Sequence, residues 1–227
     1  MKKPIIINAF HGLGDILFCI QLYRKLIEEG HTVIHPYLPV YSGIWKHFPE
    51  IVWIPKDKLA INYHDRKTVE TDDVKILPLR WCETPNAVMR SKYDFMGWDF
   101  MEWRGLTWER DFESEEKLFD SLGLKEGDKY ILVNETFQND ERGKMRIKTD
   151  VGIKRIDIKH IKGYTLLDWG KVIENAIEIH TVSTSLNYII DCEMLDINCP
   201  MHIYPRHPKE GFSAIDYLMK KNYTWHE

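Results

Sequence analysis

The sequence predicts an α/β protein built as two successive Rossmann-like halves, each around a mainly parallel sheet. Two patterns predict it: a strand, glycine turn, helix and strand in the first 37 residues, and a renewed α/β alternation from Tyr130 onward. A third observation narrows it, since no short-period repeat and no low-complexity linker interrupts the 227 residues.

The elements follow in order. Ile5-Ile6-Ile7 is a short β-branched run with no polar interruption, the pattern of a strand buried on both faces. Gly12-Leu13-Gly14-Asp15 forms a turn, and Ile16, Ile20, Tyr23 and Ile27 then recur at helical spacing. Gly30 stops that helix, and His31–Tyr37 is the next strand, parallel to the first through a right-handed crossover. Further strands are expected at Ile51–Ile54 and Val74–Leu77, with 57–73 unassigned. A helix is expected over Ser114–Leu122, ended by Gly123, and a domain boundary near residue 125 gives halves of 1–125 and 126–227. In the second half Tyr130–Val133 is a strand candidate. Arg142, Lys144, Arg146 and Lys148 alternate as on the exposed face of a hairpin within 138–160. Thr165 and Asp168 have capping-box spacing, and Leu166, Trp169, Ile173 and Ile177 make one helical stripe. A strand over Ile177–Val182, a helix over Ser185–Leu195, a strand over His202–Tyr204 and a helix over Phe212–Lys221 complete the reading.

Composition bounds the function. Hydrophobic residues make up 44% and charged residues 29%, enough for one large or two small cores. A formal net charge of −4 disfavours a broadly basic nucleic-acid binder. No stretch approaches the about 18–20 apolar residues of a membrane span, and the run after Pro4 stops at Asn8, too short for a signal peptide. Cys19, Cys82, Cys192 and Cys199 lie sparsely in apolar segments and read as reduced thiols, so a cytoplasmic location is expected.

Open parallel sheets bind ligands beyond the carboxyl ends of their strands, and two places qualify. At Gly12-Leu13-Gly14-Asp15 the glycines admit close approach and a helix N-terminus lies behind them. Asp15 is either a residue favoured there by the helix dipole or a general base for a substrate hydroxyl. At Ser183-Thr184-Ser185 three hydroxyls open a helix, more than N-capping requires, which suits a phosphate. Glu135, Thr136 and Gln138 follow the first strand of the second half, where base or ribose contacts belong. Arg206 follows the last strand and is either a phosphate contact or a surface arginine. His180 is either a ligand contact or a hydrogen-bonded interior histidine. His202 and His207 have poor metal-ligand spacing, so no metal site is expected. Trp81, Trp98, Trp103 and Trp108 crowd one segment, as a packed core, an acceptor surface or a membrane-contacting stretch.

Gly12-Leu13-Gly14-Asp15-Ile16-Leu17 with its helix and strand resembles the N-terminal signature of the heptosyltransferases that use ADP-heptose to build bacterial lipopolysaccharide. The segment Ala176–Asp191, with Thr184-Ser185-Leu186 opening a helix, resembles that family's donor-phosphate loop and is similar to the one in GT-B fucosyltransferases. The resemblance implies a GT-B-like fold of two facing Rossmann-like halves, acceptor on the first and donor on the second. It implies metal-independent transfer of a hexosyl or heptosyl group from a nucleotide-diphosphate sugar to a glycan hydroxyl. Asp15 would be the base, with Thr184, Ser185 and Leu186 at the donor diphosphate; Gly12 and Gly14, whose lack of a side chain admits close approach, are counted with the donor contacts, as are Ser183, Glu135, Arg206 and His180. No cofactor beyond the sugar nucleotide is implied. Where the family loop reads Asp-Thr-Gly-Leu-x-His, this chain has Ser183-Thr184-Ser185-Leu186-Asn187-Tyr188, and its second half is short. Both departures favour the alternative, a nucleotide- or sugar-binding protein that keeps the fold without catalysis.

Overall fold

A computed structural model describes residues 2–9, 12–62, 66–79, 88–137, 143–149, 152–206 and 215–226. The chain forms two compact units, Met1–Glu109 and Arg110–Glu227.

In the first unit β1 (Ile5–Ile7) is the central strand, fully buried as its β-branched run requires. It pairs in parallel with β2 (Val33–Tyr37) on one side and β5 (Lys75–Leu77) on the other. Beyond β2 lies β3 (Val52–Pro55), also parallel, and beyond β5 the short antiparallel β4 (Val69–Glu70), so the order is β3-β2-β1-β5-β4. Helix α1 (Leu13–Glu28) connects β1 to β2 and buries Ile16, Leu17, Phe18, Ile20, Leu22, Tyr23 and Leu26. Gly30 ends it at φ 92°, donating to Ile27 O while His31 N–H donates to Leu26 O. This pair of bonds satisfies carbonyls that the helix end would otherwise leave open.

The aromatic segment packs on α1. Helix α2 (Arg90–Asp94) and a 3-10 turn over Phe100–Gly105 bring Tyr93 and Trp103 to 5.2 Å and 5.9 Å from the Phe18 ring. Trp103 and Trp108 are buried, which makes them core rather than acceptor surface or membrane contact; Trp98 is half-buried beside Lys25. Trp81 lies outside the described residues.

In the second unit β6 (Tyr130–Asn134) is central and wholly buried. It pairs in parallel with β7 (Lys154–Asp157) and β8 (Glu178–Val182), followed outward by β9 (Met201–Tyr204) and β10 (Thr224–Trp225). The order is β10-β9-β8-β6-β7, all parallel. Helix α3 (Phe112–Ser121) precedes the sheet. A 3-10 turn over Leu166–Trp169 runs into α4 (Gly170–Glu174), and α5 (Ser185–Asp191) follows β8. The capping box is present: the Asp168 carboxylate accepts from Thr165 N–H and Oγ1–H at 2.6 and 2.8 Å. Among the described residues no helix is long and apolar enough to cross a membrane.

Three expectations change. The division between units falls before α3 rather than near residue 125. The Arg110 guanidinium binds Glu115 of α3 and Glu174 of α4, tying α3 to the second unit. The hairpin expected within 138–160 is, among the described residues, a short antiparallel pairing of 143–145 with 135–137. Phe137 N–H donates to Gly143 O and Met145 N–H to Glu135 O around the Thr136–Lys144 bridge, and the pairing stops before β7, which is parallel to β6. The alternation itself is present, with Lys144, Arg146 and Lys148 exposed and Ile147 buried against Ile131, Val133 and Val182; Arg142 lies outside the described residues. The last expected helix is, in its described part, one 3-10 turn over Asp216–Leu218. The buried Asp191 carboxylate accepts from Lys220 N–H, Lys221 N–H and Tyr223 Oη–H, which holds the chain extended on its way into β10.

Candidate functional site

Each sheet reverses direction beside its central strand. In the first unit the chain winds from β1 out to β3 and returns to β5, so the switch lies between β1 and β5. In the second it winds from β6 to β7 and returns to β8, so the switch lies between β6 and β8. Such points leave the carboxyl ends of neighbouring strands uncovered, where ligands of open α/β sheets bind.

At the first switch Gly12 is the N-cap of α1 and Asp15 stands in its first turn, where the positive end of the helix dipole favours a carboxylate. Asp15 Oδ1 is 3.0 Å from Nζ of Lys92, whose side chain is 0% exposed against 23% for Asp15. Lys92 Nζ also donates to Leu79 O, just past β5, at 3.2 Å. The carboxylate is therefore pinned by a buried ammonium while keeping a face to solvent. Gly12 has a specific reason to be glycine: a Cβ there would stand 3.0 Å from Asp15 Oδ2. The close approach is thus to the chain's own carboxylate. Gly14 lies inside the first turn of α1.

Two further groups of this unit carry no motif. Asn8 follows β1, is fully buried and donates through Nδ2 to Asn62 O at 3.3 Å, while its Oδ1 has no partner among the described residues. Tyr37, which ends β2, Trp45, and Pro49, Ile51 and Trp53 around the start of β3 line a concavity of about 510 Å³. Trp45 is 46% exposed, so this unit has an aromatic surface, made by tryptophans other than the clustered ones.

At the second switch Asn134 ends β6 and bridges to β8, donating through Nδ2 to Thr181 Oγ1 at 3.1 Å and Thr184 Oγ1 at 2.9 Å. Thr184 is the N-cap of α5. Its Oγ1 accepts from Leu186 N–H at 3.3 Å, and its own N–H donates to Asn187 Oδ1 at 2.6 Å. The Thr184 hydroxyl and the Leu186 amide are thus engaged in capping. The Ser183 and Ser185 hydroxyls have no partner among the described residues. Arg206 reaches the same turn, its Nε donating to Ser183 O, which sets an exposed guanidinium beside the two serines.

Glu135 follows Asn134 but turns to the chain itself. Its Oε1 accepts from Ile147 N–H at 2.7 Å and lies 2.8 Å from Arg155 Nη2, fastening 143–149 to the sheet. Thr136 is exposed, and Gln138 lies outside the described residues. Burial alone would push the Glu135 carboxyl up. The Arg155 hydrogen bond, the Ile147 amide and the charges of Arg155 and Lys144 outweigh it and hold the group below its ordinary 4.5. A carboxyl lowered by folding stabilises the native state above the unfolded value, and that stabilisation is lost as pH falls through the folded value. Wild type is therefore expected to lose stability below pH 4.5 more steeply than Glu135→Gln, as read by urea unfolding at stepped pH. A difference between the two that stays constant down to about pH 3 would contradict this role.

His180 is not offered to the hydroxyl turn. Its Nδ1 lies 3.0 Å from Tyr204 Oη and its Nε2 2.9 Å from Glu178 Oε1, on the face of β8 that also carries His202 of β9. Burial first, and the neighbouring His202 second, hold His180 below its ordinary value. The thiols fit inert roles: burial pushes Cys19 up to about 12 and Cys199 to about 11, and Cys192 is buried. Cys82 lies outside the described residues.

Asn8 and Asn134 had a legible signal. Each is the first polar residue after an apolar strand, in Ile5-Ile6-Ile7-Asn8 and Ile131-Leu132-Val133-Asn134. Lys92 had none, because its partner Asp15 is distant in sequence.

No protein family matches the chain, and no curated protein matches it. Among solved structures it is similar to the iron-containing dodecameric glycosyltransferase TibC from enterotoxigenic E. coli H10407, at 12% identity and a TM-score of 0.53. The likeness covers 99% of this chain and 62% of that one, so this chain spans less than two thirds of its neighbour. The chain has the α/β architecture of a GT-B-like glycosyltransferase fold, two Rossmann-like units with mainly parallel sheets.

Proposed function

We propose that this chain is a glycosyltransferase that moves a hexosyl or heptosyl group from a nucleotide-diphosphate sugar to a glycan hydroxyl, in the manner of the heptosyltransferases its motifs resemble. The observation that carries this reading is the pair of switch points. Each Rossmann-like unit presents reactive polar groups there, Asp15 in the first, Ser183, Ser185 and Arg206 in the second. The likeness to a glycosyltransferase fold supports it.

In this reading Asp15 accepts the proton of the acceptor hydroxyl, and that oxygen attacks the anomeric carbon of the donor. The bond from that carbon to the diphosphate oxygen breaks, and the nucleoside diphosphate leaves. Its growing charge meets the Arg206 guanidinium and the hydroxyls of Ser183 and Ser185, so no metal ion is required for departure. Lys92 is a positioning residue that orients Asp15 through their ion pair. The sugar acceptor lies against the aromatic concavity of Tyr37, Trp45 and Trp53. A nucleic-acid partner is no part of the reading, and the protein works in the cytoplasm.

A second reading rests on one observation, that the Thr184 hydroxyl and Leu186 amide are already engaged within the cap. A protein that binds the sugar nucleotide without transferring its sugar needs fewer donors at that turn.

The experiment is a thermal-shift screen of GDP-, UDP-, ADP- and dTDP-sugars, with a CMP-sugar as the monophosphate control. A ligand at about 100 times its dissociation constant stabilises the fold by about 2.7 kcal/mol. One diphosphate sugar is expected to raise Tm, and Arg206→Ala to weaken its binding about tenfold or more, the worth of a charge-assisted hydrogen bond. Equal affinity in Arg206→Ala would remove Arg206 from the donor site, and no shift with any nucleotide would count against both readings.

A further inference from the structure

A group of side chains remains that the transfer reaction does not use. His180 of β8 and His202 of β9 are direct cross-strand partners, and their rings stack at 4.3 Å and 7°. Glu178 precedes His180 by two residues and therefore projects from the same face. Its Oε1 is 2.9 Å from Nε2 of both histidines. The three ligand atoms lie within 4.8 Å of one another.

We propose that Glu178, His180 and His202 form a binding site for a first-row transition-metal dication such as Zn2+. Two imidazoles and one carboxylate are a donor set that such ions take, at about 2.0–2.2 Å from each ligand. Across a separation of 2.9 Å, bonds of that length meet at about 90°, so the carboxylate and either imidazole reach one ion with little movement. An ion lies in the plane of each ring that binds it, so His180 and His202 share it only by turning out of their 7° stack, and a loss of that stacking accompanies binding.

The surroundings supply a second, independent argument. A ligating histidine needs its other ring nitrogen held by a partner that fixes the tautomer. Here Nδ1 of His180 is 3.0 Å from Tyr204 Oη, and Nδ1 of His202 is 2.9 Å from Nε2 of His226. Without metal, both Nε2–H groups donate to Glu178. With metal, each Nε2 gives its lone pair to the ion and the protons sit on Nδ1, where Tyr204 Oη and His226 Nε2 accept them. The exchange needs no net release of protons from the two imidazoles. The Glu178 side chain is 30% exposed, which leaves a path from solvent and room for water to complete the coordination.

The ion's role is structural. Glu178 opens β8 and His180 is its middle residue, whereas Ser183 follows its end, so the ligands sit along the strand before the hydroxyl turn and not in it. The ion would staple β8 to β9. It would also hold the two-residue β10 through His226, whose N–H donates to Ile203 O and whose ring stacks on Tyr204 at 4.2 Å.

The test uses the full chain, freed of metal by a chelator and titrated with Zn2+ at neutral pH in a calorimeter. One ion per chain and a higher Tm are expected. His180→Ala and His202→Ala should abolish that binding, and His226→Phe should weaken it about 10–100-fold. So that misfolding of a variant does not decide the outcome, Co2+ is added to the unaltered chain and its imidazole NMR signals are followed. Broadening first at His180, His202 and His226 is expected. No Zn2+ binding up to about 100 μM, binding unchanged in both alanine variants, or broadening centred on other histidines would overturn the proposal. None of these readouts depends on transfer activity.

Discussion

Asp15→Asn is expected to lower sugar transfer by about 10²–10⁴-fold, the usual contribution of a positioned general base. The amide keeps the shape of the carboxylate but has no useful basicity. Donor affinity should stay close to wild type, because the groups assigned to the donor belong to the second unit. The variant also deprives the buried Lys92 of the Asp15 counter-charge, while its hydrogen bond to Leu79 O stays. Breaking a fully buried pair costs about 3–5 kcal/mol; with Asp15 23% exposed the cost should fall below that. Activity is therefore compared at a temperature where circular dichroism shows both proteins folded. Lost transfer with retained donor binding supports the base, and unchanged turnover would remove Asp15 from the chemistry.

Arg110→Met is expected to destabilise the second unit by about 3–5 kcal/mol, a large part of the about 5–15 kcal/mol that holds a domain folded. Glu115 is only 1% exposed at its side chain and depends on Arg110 for its charge balance. Arg110 Nε donates to its Oε1 at 2.8 Å and Nη2 to its Oε2 at 2.5 Å, while Lys171 N–H donates to Oε2 at 2.8 Å. The same guanidinium holds Glu174 through two bonds of 2.9 and 2.8 Å. Gly170 admits this crossing, since a Cβ there would stand 2.7 Å from Glu115 Oε2. Removing the arginine leaves a buried carboxylate facing one amide. Urea unfolding measures the loss, and Arg110→Met combined with Glu115→Leu should recover part of it, because no buried charge is then left alone. A loss below about 1 kcal/mol would mean that water screens the network as it does at a surface.

Local patterns carried most of the fold. Ile5-Ile6-Ile7, the apolar period of α1 and Gly30 specify β1, α1 and β2 because each rests on neighbours in the chain. The same holds for β6, β8 and the box at Thr165. What escaped depends on distant partners. β10 exists because Asp191, on another element, captures the backbone of Lys220 and Lys221. The boundary lies before α3 because Arg110 binds Glu174. The segment before β7 carries the alternation of a hairpin strand and pairs with 135–137, but no further, because the edge of β6 itself is taken by β7. At the candidate site, the glycine turn and the hydroxyl run were legible as motifs. The Asp15–Lys92 pair and the Arg206 contact with Ser183 were not, being tertiary contacts. His180 and His202 have no metal spacing along the chain; strand register makes them neighbours.

The central claim is that the chain breaks the bond between a sugar and a nucleoside diphosphate. The most direct measurement is release of nucleotide from each diphosphate sugar of the screen, with a mixed glycan acceptor present, by wild type and Asp15→Asn. Release from the donor that also raises Tm, and its loss in Asp15→Asn, is the expected result. Saturable binding with no released nucleotide would contradict it and leave a binding protein on a glycosyltransferase fold.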